Sequence, residues 1–310
     1  MNTAAEIATE RVFLEELIAS GLFLPTGEPG LYGRGTAFEK VRTGVDAIVT
    51  QAGAADGAET PRFPPVLPRR TLERAGYLKS FPQLCGSIYS FRGSEAAAID
   101  LADRAGRHDD WSMHLHQTGV TLVPAACYPS YPAIAQRGPL PLGGVVLDLG
   151  ACYVYRNEPS SDPARLQMFH QRELVRIGEA DEVLAWRETW MERAAGIFKR
   201  LGLNAAMDIA SDAFFGRGGK LLSRSQREQR LKFELLVPIA SEAATAVASF
   251  NFHQEHFGTA FGIQHQDGRT ANSACVGFGL ERITLALFRA HGMQIERWPE
   301  EIRAALSLEV

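Results

Sequence analysis

Val145-Val146-Leu147-Asp148-Leu149-Gly150-Ala151-Cys152-Tyr153-Val154-Tyr155-Arg156-Asn157-Glu158 is the stretch whose reading decides the fold. Its apolar run reads as a strand from Gly144 to Arg156. A polar loop, Pro159 to Arg165, leads to a second strand-like run, Met168 to Ile177. Together they read as a hairpin. Side chains alternate along a strand, so Arg156 and Glu158 share a face and aim a guanidinium and a carboxylate into one cleft. For an isolated Arg-x-Glu the competing reading is a cross-strand surface ion pair.

Outward from this hairpin, strand-like runs recur at Val120–Pro124, Ala205–Ala210, Lys232–Ile239 and Thr245–Asn251, interrupted by one long helical stretch, Asp181–Leu201. Toward the N-terminus, helical spacing predicts helices over Ala4–Ser20, Phe38–Ala52 and Thr71–Lys79. A Ser-x-x-Ala entry opens another over Ser94–Gly106. Leu84–Phe91 reads as a strand and Pro61–Pro68 as extended. Gly277-Phe278-Gly279-Leu280-Glu281-Arg282 marks the end of a strand and the opening of an amphipathic helix, where the glycines permit close approach of backbone and ligand. Short-turned strands with helices at both ends predict an α+β fold, an antiparallel sheet flanked by helices. The division expected is a helical and mixed segment, 1–110, packed on a core, 111–310.

Across 310 residues, 45% hydrophobic and 22% charged residues are ordinary for a globular protein. The net charge of −4, with 32 Lys+Arg against 36 Asp+Glu, argues against a large nucleic-acid surface. No apolar run approaches the roughly 20 residues of a membrane span, and the N-terminus lacks a signal-peptide pattern. The expected location is cytoplasmic, which makes the four cysteines thiols or metal ligands rather than disulfides.

The hairpin and the Gly277–Arg282 stretch, in this order, resemble motifs 2 and 3 of class II aminoacyl-tRNA synthetases. The resemblance covers about Leu122 to Ala290, a little over half the chain, and is strongest to a seryl-type core. It implies that Arg156 meets the α-phosphate of ATP, Arg282 the γ-phosphate, and Glu158 the adenine amino group. Phe169 or Arg172 would stack near the base. Two guanidiniums suit the charge that gathers when a carboxylate attacks the α-phosphate and pyrophosphate departs. Ser249 and Asn251 resemble a stretch that lies beside the phosphates. The acidic magnesium ligand of that stretch falls near Thr245 here, so the source of Mg²⁺ ligands is open; Glu242 is a weak substitute.

Three residues match the Cys–Glu–Cys zinc set of methanogen-type seryl-tRNA synthetases one by one: Cys127, Glu173 and Cys275. Three protein ligands leave a fourth position for a substrate amino group. Spacing alone shows no zinc signature, and any single cysteine is equally read as a small buried hydrophobe. Cys85 and Cys152 are read as packing residues. Asp212, Lys232 and Glu234 are candidates for the amino acid pocket, though Asp212 could equally cap a turn. His253, Glu255 and His256 are read as a solvated turn.

Seryl enzymes carry a long helical arm that grips tRNA. Here the residues before the core are broken by Pro and Gly and are not basic. On core motifs, zinc set and missing arm together, the chain resembles the bacterial amino acid:[carrier protein] ligases. That implies activation of glycine or alanine with ATP and transfer to the phosphopantetheine thiol of a carrier protein. Implied with it are Zn²⁺ and Mg²⁺, a homodimer, and neither tRNA nor membrane as partner. The alternatives are a true tRNA synthetase and a non-catalytic regulatory paralogue; retention of both arginines weighs against the latter.

Overall fold

The computed structural model describes residues 4–308. Its centre is a six-stranded antiparallel sheet, in spatial order Val145–Tyr155, Met168–Gly178, Asn272–Gly279, Ala244–Gln254, Lys232–Pro238 and Ala206–Ile209. The architecture is the α+β one expected. Alternation gives the sheet two unlike faces. Leu174, Val276, Phe278, Phe250 and Leu235 point one way, into the larger hydrophobic cluster. Helices Thr36–Ala52, Ala180–Arg200 and Leu280–His291 cover that face: Trp190 meets Phe278 edge-on at 6.1 Å, and Phe38 stacks on Phe288 at 6.0 Å. Removing a ring such as Phe278 would cost about 3–5 kcal/mol. The same cluster takes in Phe13, Leu17, Leu22 and Leu306, so both ends of the described chain are tied to the sheet.

Residues one step along the same strands point to the opposite face. Register lines them up in two rows: Glu173, Gly277, Ser249 and Glu234, then Val175, Cys275, Asn251 and Lys232. A second cluster around Tyr131, Phe257 and Phe261 covers one end of this face. The rest, where Ser249, Asn251 and Glu234 are half-buried beside the buried Glu173, Cys275 and Lys232, forms the cleft face. A small sheet, Val66–Pro68, Leu115–Leu122 and Ser87–Phe91, lies beside it.

Several boundaries differ from the sequence reading. The first hairpin strand ends at Tyr155, although the Arg156 amide still donates to Gln167 O at 2.9 Å. Arg156 to Glu158 are therefore coil, and strand alternation does not govern them. The helix over 71–79 is two, Arg69–Arg74 and Tyr77–Ser80, because Gly76 between them has φ 73°. The run near Val120 is longer, Leu115–Leu122, and belongs to the small sheet. Helix Gly216–Glu228 was not legible: glycines 218 and 219 give it poor intrinsic propensity. Helix Leu280–His291 starts after Gly279, which is still strand. Among the described residues no helix is long and apolar enough to cross a membrane.

Candidate functional site

Three ligand atoms of Cys127, Glu173 and Cys275 lie within 4.8 Å of one another, and all three residues are buried. They come from three places. Glu173 and Cys275 sit on adjacent strands of the cleft face, and Cys127 lies in the loop after the small sheet. The Cys127 amide donates to Glu173 Oε2 at 2.7 Å, fixing the carboxylate. Burial pushes the Cys127 thiol and the Glu173 carboxyl up; beside Cys127 and buried itself, Cys275 is pushed up well beyond the usual thiol range. Three crowded acids shielded from water gain from a cation. Tetrahedral zinc places such donors roughly 3.3–3.8 Å apart, so this trio needs little movement to hold one. The donor set, two sulfurs and a carboxylate, fits that metal.

Next to the trio, Asn251 Nδ2 donates to Cys275 Sγ at 3.4 Å and lies 3.4 Å from Ser249 Oγ. Here the sequence reading needs correction for His253. It is no solvated turn residue: it stands on strand Ala244–Gln254, with Nε2 3.4 Å from Cys275 Sγ and Nδ1 3.1 Å from Ser273 Oγ. Burial, helped by His256, lowers its pKa to about 3, so the ring is neutral. Glu255 and His256 are exposed.

One end of the cleft is built by arginines. Arg282 Nε donates to Ala164 O at 2.8 Å and Nη1 to Ala246 O at 2.9 Å. Ala164 belongs to the hairpin loop, and Ala246 sits where the strand bulges. Burial, then the charges of Arg156 and Arg165, lower the Arg282 pKa to about 10. Three cations crowd one place. Arg156 also lies over the Phe169 ring, 5.6 Å from its centroid. Arg165 was named in the sequence only as the end of a loop. Glu158 is near enough to Arg282 to offset part of the repulsion.

Arg172 does not join this group. It pairs with Phe278 in register, on the helix-covered face, and is buried between Asp46 at 3.1 Å and Asp148 at 2.5 Å. Odd and even strand positions face opposite ways, so Arg172 cannot share the cleft with Phe169 and Glu173. Gln171 does share it: its Oε1 accepts from the Ala126 amide at 3.3 Å. Its parity with Glu173 could have marked it.

Asp212, Lys232 and Glu234 form one chain of charge. Lys232 Nζ lies 2.6 Å from Asp212 Oδ1 and 2.9 Å from Glu234 Oε1. Gln226 grips Asp212 twice, donating to Oδ2 at 2.8 Å and accepting from the Asp212 amide at 2.7 Å. Tyr77 and Tyr128 stand beside this end, edge to face at 5.6 Å. Burial raises both phenols, so they stay protonated. Glu242 occupies an exposed bend between strands, apart from the cleft rows. Cys85 and Cys152 are partly buried free thiols.

The cleft can therefore hold a polyanion at one end and a small amine-bearing ligand at the other. No family model matches the chain. Amino acid–[acyl-carrier-protein] ligase 1 of Bradyrhizobium diazoefficiens is 46% identical, over 99% of this chain and 93% of that protein. Ligase 2 of the same organism is 45% identical, over 94% and 87%. Among solved structures, M. kandleri SerRS in complex with A. aeolicus tRNASec superposes with a TM-score of 0.80 at 21% identity, covering 95% of this chain and 60% of that one. That last likeness is one of fold, the class II aminoacyl-tRNA synthetase architecture. Identity of this extent over nearly the whole of two proteins places the chain in a family: it belongs to the amino acid–[acyl-carrier-protein] ligases.

Proposed function

We propose that the chain activates glycine or alanine with ATP and passes it to the phosphopantetheine thiol of a carrier protein. Membership of the ligase family supports amino acid activation and a carrier acceptor. The carrying observation for ATP is the placing of Arg156 and Arg165 close enough to the buried Arg282 to act on its charge, with Glu158 and Asp162 opposing them; a polyanion bound there would meet all three cations. The amino acid's carboxylate oxygen attacks the α-phosphorus; the bond to pyrophosphate breaks and pyrophosphate leaves. Arg156 and Arg282 offset the charge that develops, while Phe169, Glu158, Ser249 and Asn251 hold the nucleotide. The carrier's sulfur then attacks the acyl carbon of the adenylate, the bond to AMP breaks, and the thiol proton goes to water.

Cys127, Glu173 and Cys275 would hold Zn²⁺, which when bound offers an open position to the substrate's amino group. Asp212, Lys232 and Glu234 line the amino acid end. Selection of a small side chain follows from the bulk of Tyr77 and Tyr128 beside it. Mg²⁺ would enter with ATP, because Thr245 replaces the expected carboxylate. We read residues 1–110 and 111–310 as one working unit, and the active species as a homodimer, after the habit of class II cores.

Amino acid-dependent pyrophosphate exchange over all twenty amino acids tests the first half. For the acceptor, labelled amino acid, ATP and enzyme are offered in parallel to phosphopantetheinylated carrier protein and to total tRNA. A hydroxylamine-labile protein adduct is expected. Efficient charging of tRNA instead would make the chain a tRNA synthetase.

A further inference from the structure

Behind the cleft, the first turn of helix Leu280–His291 is fastened to the motif 2 strand by one buried carboxylate. Glu281 is 1% exposed. Its Oε2 accepts from the His170 amide at 2.8 Å; its Oε1 accepts from Arg34 Nη1 at 2.9 Å and lies 2.8 Å from His170 Nδ1. Arg34 continues the connection. It lies 2.5 Å from Glu39 Oε1 and donates to Tyr153 OH at 2.6 Å, and its guanidinium sits over the Tyr153 ring. The Tyr153 ring lies tilted against that of His170, with centroids 3.9 Å apart, and the two residues pair in register. Both hairpin strands and the segment at Arg34 are thus held to Glu281.

The neighbours of these residues matter. Glu281 precedes Arg282, and His170 follows Phe169. Backbone connectivity carries the fastening from one face of the sheet to the other: His170 is gripped behind, so Phe169 is fixed in front. Arg282 meanwhile reaches the loop of the same hairpin at Ala164. Helix and hairpin are joined at two points, and the two ATP arginines stand one on each.

We propose that Glu281 is a positioning residue for ATP, setting the separation between Arg282 on the helix and Arg156 with Phe169 on the hairpin. A carboxylate without exposure costs several kcal/mol to bury unless it is paired and hydrogen-bonded. A purely packing role would be filled more cheaply by an apolar side chain. The inference rests on reading the cleft as an ATP site.

Glu281→Gln keeps the volume but turns one acceptor oxygen into a donor facing the His170 amide or Arg34. The KM for ATP in pyrophosphate exchange is expected to rise about tenfold or more, as for loss of a charged hydrogen bond, with the KM for amino acid within about twofold. Direct ATP binding by titration calorimetry should weaken in step. An unchanged KM for ATP, or equal rises in both KM values, overturns the proposal. Should Glu281→Gln fail to fold, Arg34→Gln removes a partner from the rim, and the same split decides. A wild type that exchanges pyrophosphate normally while the variants show no split removes the positioning role alone. A wild type that neither exchanges nor binds ATP removes both readings.

Discussion

Lys232 Nζ lies 2.6 Å from Asp212 Oδ1, joining strand Lys232–Pro238 to the segment that leads into helix Gly216–Glu228. Burial works against both charges, but each partner outweighs it: Lys232 and Gln226 hold the Asp212 carboxyl below its usual range, and Asp212 and Glu234 hold Lys232 above its own.

This pair carries a pH signature. The depressed carboxyl contributes stability above its unfolded pKa of about 3.9, lost as pH falls through the lower folded value. The raised ammonium contributes below about 10.4 and loses its share as pH rises through the higher folded value. Lys232→Met should destabilise by about 1–3 kcal/mol, less than a fully buried pair because Asp212 is partly solvated. The gap from wild type should stay flat between about pH 5 and pH 9 and close outside that window. Thermal melts across pH check it; a gap that varies through the neutral range would refute the assignment.

Arg156→Ala and Arg282→Ala should each cut adenylate formation by about 100-fold or more. They should differ in stability. Arg282→Ala leaves the carbonyls of Ala164 and Ala246 without their donor, costing about 1–3 kcal/mol. Arg156→Ala leaves no such carbonyl and should melt near wild type. Near-normal exchange in either variant would sink the ATP-site assignment.

Zinc analysis of Cys275→Ala should show loss of most of the metal, against about one ion per chain in wild type. Full retention would remove Cys275 from the site. Cys152→Ala, a thiol outside the trio, should leave the zinc content unchanged.

Gly277 lies between Glu173 and Ser249 in the first row of the cleft. A Cβ there would sit 2.8 Å from Gln171 Nε2 and 3.5 Å from Ser249 Oγ. The obstacle is the end of a flexible side chain, so Gly277→Ala should change stability by less than about 1 kcal/mol. Yet it displaces Gln171 into the cleft, and substrate affinity should fall by about tenfold or more. Wild-type kinetics in this variant would show that the cleft floor has room to spare.

The sequence by itself determined the hairpin, the long helix and most strands of the sheet, because period-two apolar alternation and turn residues are local signals. Parity was legible as well: an even number of steps puts Phe169 and Glu173 on one face, and the reading of Arg172 as a base-stacking candidate passed over the same count, which the strand register then enforced. The motifs around Arg156 and Arg282 were legible as chemistry on strand ends. What local signals could not supply was distance. That Cys127, Glu173 and Cys275 meet within 4.8 Å follows from strand register and from the path of one loop. That Arg165 crowds Arg282, and that His253 rests on Cys275, follows from a hairpin folding back and from a strand running past its expected end. Helix Gly216–Glu228 is held by Gln226 and Ser223 on Asp212, not by its own propensity. The buried carboxylate of Glu281, which reads in sequence as one charge on a helix, gains its meaning only from the three donors that packing brings to it.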